Sequence, residues 1–121
     1  MNNAQGSCVF LLENDQAVTS AIMSLCEKGQ LTLRCFSSWE DMENSLDSHK
    51  PSYLIMSNAL CSSSICEKVS HITNVGIPVI VLGKQHDLNG AVASIQAGAI
   101  DYIEKPVIHG RLAEYIASIS A

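Results

Sequence analysis

A chain of 121 residues with 47% hydrophobic content is sized for one domain with a substantial core, and no second domain fits. Twelve acidic residues against seven basic ones give a formal net charge of -5, and the basic residues are scattered singly from Lys28 to Arg111, so nothing tracks a phosphate backbone and direct nucleic-acid binding is excluded. No charged segment followed by a long apolar run opens the chain and the longest apolar stretches, such as Val79 to Leu82, are strand-sized, which leads to the expectation of a soluble cytoplasmic protein without membrane contact.

In chain order, the first apolar run, Cys8 to Leu12, reads as a strand. A helix follows from about Gln16 to Lys28, capped by Asp15 or nearby, with Val18, Ile22, Leu25 and Cys26 on one face and Gly29 as a left-handed exit. Leu31 to Cys35 is the second strand. The second helix starts at Ser37 or Ser38, each followed three residues later by an acid, buries Trp39, Met42 and Leu46, and is stopped by Pro51. Tyr53 to Ser57 is the third strand; Ser62-Ser63-Ser64 is a loop ending in a helix cap, and the third helix runs from Ser64 to Thr73. Pro78 to Leu82 is the fourth strand. The fourth helix, Leu88 to Ala97, is expected to use Val92 and Ile95 as its apolar face and Gly98 as its exit. Ile100 to Ile103 is the fifth strand, and a fifth helix from His109 to about Ile119 buries Leu112, Ile116 and Ile119.

Strands alternating with helices give a (βα)5 order, and right-handed crossovers then predict an α/β, flavodoxin-like, doubly wound five-stranded parallel sheet. Ligand chemistry in such sheets sits outside the carboxyl ends of the strands. Those ends are Glu13-Asn14-Asp15, Ser57-Asn58-Ala59, Gly83-Lys84-Gln85 and Glu104-Lys105-Pro106. The five cysteines, Cys8, Cys26, Cys35, Cys61 and Cys66, lack a CxxC pair and read as reduced small hydrophobes. His49, His71, His86 and His109 fall on different elements, so no metal cluster is expected, and Trp39 reads as a packing residue.

The run Ala97-Gly98-Ala99-Ile100-Asp101-Tyr102-Ile103-Glu104-Lys105-Pro106, taken with Glu13-Asn14-Asp15 after the first strand, resembles the receiver domain of bacterial two-component response regulators. The resemblance extends from Val9 to Ile119 and implies the CheY-like version of the fold. In that family two acids after the first strand hold a divalent metal, an aspartate after the third takes a phosphoryl group, a hydroxyl after the fourth bonds it and a lysine after the fifth neutralises it. Those roles fall here on Glu13 and Asn14, on Ser57, on Gly83 and on Lys105. Only Glu13 and Lys105 keep the family's chemistry.

Each departure has a consequence. Magnesium wants hard anionic oxygens in an octahedral set, and one carboxylate with an amide and a hydroxyl is a poor set, so no metal and no cofactor are expected. A serine hydroxyl needs a general base where an aspartate needs none, and Glu13 is the only nearby candidate, so phosphorylation is not expected and the chain is not read as an enzyme. Glycine at 83 has no side chain to couple the pocket to the switch aromatic, which the resemblance assigns to Tyr102. Lys105, lacking its usual aspartate, is expected to pair with Glu13, and the resemblance implies a frequently cis bond before Pro106.

These readings converge on a degenerate, phosphorylation-independent pseudo-receiver, with Ser57 in place of the acceptor aspartate, acting in transcription regulation through protein-protein contacts. Any output domain would follow Ala121. The partner, or a second copy, is expected on the face of the fourth helix, fifth strand and fifth helix, with Glu104, Arg111 and Tyr115 as interface candidates beside residues 89–96, Asp101 and Glu114. Tyr115 is expected near solvent, so that Arg111→Glu with Tyr115→Ala would weaken association at nearly unchanged melting temperature. The alternative is a small-molecule or nucleotide sensor using the vacated strand-end pocket.

Overall fold

Short runs of branched and aliphatic residues bounded by polar or glycine-containing turns fold as strands: β1 Cys8–Leu12, β2 Thr32–Phe36, β3 Tyr53–Ser57, β4 Val79–Gly83 and β5 Asp101–Glu104. They are described by a computed structural model covering residues 8–61, 65–105 and 109–120. The strands form one parallel sheet in the order β2-β1-β3-β4-β5, with Phe10 opposite both Arg34 and Leu54, and Val81 opposite Met56 and Tyr102. β2, β4 and β5 each begin and end one residue later than the sequence pattern predicts.

Among the described residues six helices accompany them: α1 Gln16–Lys28, α2 Trp39–Ser45, α3 Asn58–Cys61, α4 Ile65–Asn74, α5 Leu88–Gln96 and α6 His109–Ser120. Asp15 caps α1, its Oδ1 accepting from the backbone N–H groups of Ala17 and Val18. Ser38 caps α2 through the Asp41 N–H at 3.2 Å. The left-handed residue after α1 is Gln30 (φ 59°), not Gly29, whose φ is -87°. α2 closes on Leu46, well before Pro51, and the single third helix expected from Ser64 is preceded by the short α3.

Alternation along the strands sends residues to two cores. Phe10, Leu12, Leu54, Met56 and Val81 meet Met42 of α2 and Val69 and Ile72 of α4; Val9, Leu11, Ile55 and Ile80 meet Ile22 and Leu25 of α1 and Leu112 and Ile116 of α6. Trp39 is half-buried at the edge of the first core, with the Lys68 ammonium 5.3 Å from its ring centre. No described helix is long and apolar enough to cross a membrane.

One helix turns the opposite way from its sequence pattern. The large side chains of α5 face outward: Leu88 is 73% exposed, and Val92 and Ile95 nearly half exposed, while Ser94 is fully buried. Small residues let α5 lie close to its neighbours. Ser94 satisfies its hydroxyl on the Gly90 carbonyl at 2.8 Å, and across the helix pair Ser70 of α4 donates to the Ala97 carbonyl at 3.2 Å.

Candidate functional site

The winding direction of the chain reverses between β1 and β3, and the residues leaving those strands open a crevice at their carboxyl ends. Glu13 leaves β1 there and is 4% exposed. Its Oε2 accepts from the N–H groups of Asn14 at 3.0 Å and Asp15 at 2.9 Å. Oε1 meets the Lys105 ammonium at 2.8 Å, an ionic contact rather than an aligned hydrogen bond. Ser57, fully buried at the end of β3, accepts from the same Nζ at 3.1 Å. The backbone of Lys105 is fixed by its N–H bond to the Gly83 carbonyl at 2.8 Å.

The pair expected between Lys105 and Glu13 is therefore present, and it is largely desolvated: the glutamate side chain is 1% exposed and the lysine 23%. A lone buried carboxylate costs several kcal/mol, and this one is held by a cation and two backbone donors together. Asn14 is exposed and uncharged, and Asp15, also exposed, spends one carboxylate oxygen on the α1 cap.

Magnesium, the metal implied by the family resemblance, does not fit this donor set. One carboxylate, with one oxygen on backbone donors and the other on an ammonium, leaves no cluster of hard anions, and among the described residues no three His, Cys, Asp or Glu side chains come together in a metal-holding group. Nucleophilic chemistry at Ser57 is equally unsupported. Its hydroxyl is a hydrogen-bond acceptor of an ammonium, an arrangement that gives it no base. Burial pushes the Cys8 and Cys35 thiols up, and pushes Cys26 up to about 11 with Cys35 and Cys8 adding to the effect, so these cysteines stay protonated. The side chain of Cys61 and the whole of Pro106, and with it the expected cis bond, lie outside the described residues.

Beyond the lysine, Asn58, Ala59, Leu82, Gly83, Lys84, Asp87 and Lys105 line a cavity of about 400 Å³. Tyr102 is buried beside it, its hydroxyl donating to the Lys84 carbonyl at 3.3 Å. Burial first, then the charges of Asp87 and Glu104, hold its phenol above the ordinary range.

The expected interface residues are arranged differently from the sequence reading. Tyr115 is tied inward: its hydroxyl donates to Asp101 Oδ2 at 2.8 Å and its ring stands edge-on to Tyr53 with centroids 5.8 Å apart. Arg111 donates to Asp101 Oδ1 at 3.0 Å and to the Tyr102 carbonyl at 3.3 Å. Glu104 accepts from the His86 N–H at 3.2 Å. Arg111→Glu with Tyr115→Ala should consequently destabilise the fold by about 2 kcal/mol, from a half-buried ring and its hydrogen bond to a carboxylate, and lower the melting temperature by several degrees. An unchanged thermal melt would contradict this network.

The same face, on which residues 89–96 were expected, carries side chains that the sequence reading had turned toward the core. Leu88, Val92 and Ile95 form an exposed apolar stripe along α5, and Ile100 lies nearly half exposed just before β5. The available signal was the second periodicity of α5, in which Ala91, Ser94 and Ala97 offer a narrow inward face.

A parallel sheet in this order, with an acid after β1, a hydroxyl at the end of β3 and a lysine after β5 meeting at the reversal point, defines a receiver-type α/β module. The chain belongs to the response regulator receiver domain family, whose model matches residues 9–117. It is 31% identical over 106 residues to the response regulator protein TmoT of Ectopseudomonas mendocina, covering 86% of this chain and 48% of that protein, so it spans about half of that relative's length. Among solved structures, a response regulator receiver protein from Pseudoalteromonas atlantica shares 26% identity at a TM-score of 0.78, over 93% of this chain and 95% of that one. A response regulator from Thermotoga maritima superimposes with a TM-score of 0.82 over 94% of this chain and 97% of its own; at 21% identity it supports the fold alone.

Proposed function

We propose that this chain is a receiver domain that works without phosphorylation, an interaction module regulating an associated output in transcription control through protein-protein contacts. The observation that carries the reading is the Lys105 ammonium lodged between Glu13 and Ser57, the acid and the residue at the acceptor position. The lysine is where a receiver keeps one, but it closes on a hydroxyl where phosphoryl transfer would need an ionised acceptor, and on Glu13, one of the two positions after β1 that would hold a metal. The role is binding rather than catalysis, on a cytoplasmic module, and its partner surface is the α5–β5–α6 face. There the apolar stripe of α5 supplies contact area, beside an exposed Arg111 and a half-buried Tyr115 that are both bonded to Asp101.

Incubation with acetyl phosphate and magnesium, followed by intact-mass measurement, tests this directly. No mass change is expected. A gain of one phosphoryl group that disappears in Ser57→Ala would overturn the proposal. Calorimetric titration should likewise detect no submillimolar magnesium binding, whereas Asn14→Asp with Ser57→Asp should introduce it by restoring two carboxylates.

A second reading, a small-molecule or nucleotide sensor, is favoured by the cavity of about 400 Å³ beside Lys84 and Lys105. A thermal-shift screen of nucleotides and metabolites separates it from the first. A saturable rise in melting temperature abolished by Lys84→Ala would select the sensor.

A further inference from the structure

Gly83 ends β4, a strand buried at all five positions, and its φ is not in the left-handed region. Its backbone therefore makes no demand for glycine, and a glycine inside a strand weakens it. What glycine provides here is space. A β-carbon at 83 would overlap the hydroxyl, Cζ and Cε2 of Tyr102, the last at 2.7 Å. The ring of Tyr102 occupies the volume that any other residue at 83 would fill with its own side chain.

The rest of Tyr102 is already fixed. Its N–H bonds to Asp101 Oδ1 at 2.7 Å, and its carbonyl accepts from Arg111 at 3.3 Å, so the backbone is held from both sides and the ring direction is the remaining freedom. That freedom is settled by the opening at Gly83 and by the hydroxyl bond to the Lys84 carbonyl. The polar contacts of Glu13, Ser57 and Lys105 do not include Tyr102, so the strand-end cluster has no direct hold on the ring. With the ring inside, Ala91, Tyr102, Ile103, Glu104, Gly110 and Arg111 line a depression of about 380 Å³ on the α5–β5–α6 face.

We propose that Gly83 is a lock: it holds Tyr102 permanently inward and so keeps the α5–β5–α6 surface in one conformation, whatever happens at the strand-end cluster. The significance of that surface rests on the interaction-module reading above, but the position of the ring does not.

The test labels the chain with 3-fluorotyrosine and assigns the Tyr102 resonance by its loss in Tyr102→Phe. In the unsubstituted chain the resonance is expected to be single and to show almost no solvent isotope shift. In Gly83→Ala, with the fold verified by circular dichroism, it should move and acquire the isotope shift of an exposed ring. A resonance already solvent-accessible or split in the unsubstituted chain, or one still shielded in folded Gly83→Ala, overturns the lock.

Should Gly83→Ala fail to fold, Gly83→Ala with Tyr102→Ala decides. Recovery of a cooperative melt shows that the overlap is with the ring, while a chain still unfolded beside a folded Tyr102→Ala control overturns the proposal. Sedimentation of the same variants reads the surface separately. A lock that releases with no change in association would count against the interaction reading and leave the lock standing.

Discussion

Lys105→Met should lower the unfolding free energy by about 3 kcal/mol, the low end of the cost of removing one partner from a buried ion pair. The lower end applies because the lysine is itself 23% exposed and because two backbone N–H groups continue to hold Glu13 Oε2. Methionine keeps most of the apolar stem, so the loss reports the ammonium rather than packing. Glu13 then keeps a carboxylate on a side chain that is 1% exposed, with no salt-bridge partner left to it among the described residues. Urea unfolding of Lys105→Met, Glu13→Gln and the double variant measures the coupling, and the double variant should recover part of the loss. A Lys105→Met chain within about 0.5 kcal/mol of the unsubstituted one would show the pair to be a solvated surface contact.

The second large effect lies on the opposite side of the stability account. Leu88→Asp with Ile95→Asp should weaken association at least about tenfold, since burying exposed aliphatic side chains of this size contributes on the order of 1 kcal/mol or more each and charges in an apolar contact oppose it. The fold should lose only about 1 kcal/mol, because Leu88 is mostly exposed and Ile95 about half so, and an acid in the last turn of α5 adds a small cost. Sedimentation velocity over a concentration series compares the two chains. Matching distributions would remove the α5 stripe as a contact between copies. This pair of substitutions replaces Arg111 and Tyr115 as the probe of the face, since those residues are committed to Asp101.

The sheet was legible because each strand is a short apolar run closed by punctuation, and all five fell within one residue of the pattern. Asp15 and Ser38 were legible as caps because side chains that accept from N–H groups two or three residues on have few other uses there. The meeting of Glu13, Ser57 and Lys105 was what the family resemblance implied for the carboxyl ends of β1, β3 and β5.

What sequence could not give was direction. In α5 two faces compete, one of large aliphatics and one of Ala91, Ser94 and Ala97, and the small face won because it permits close packing. Periodicity alone weights the larger side chains. Tyr115 was misplaced for a similar reason: a polar-tipped aromatic beside a buried stripe reads as solvent-facing until a carboxylate, Asp101 on the adjacent strand, offers its hydroxyl a partner. Likewise, nothing in the letters around Gly83 announces that its missing side chain is filled by a ring from the next strand.

The ion pair has one more consequence, for how the domain comes apart. Glu13 and Lys105 lie near opposite ends of the chain, and the lysine reaches from the outermost strand, past β4, to side chains at the ends of β3 and β1. A sheet edge ordinarily frays first, its amides exchanging through small local openings. Here the last strand cannot peel away without stranding a charge at the first, so the opening of β5 carries the cost of disturbing the sheet's centre. The terminal βα unit is thereby drawn into the same cooperative unit as the amino-terminal strand, and the domain gains a closure in sequence that its open sheet lacks in space.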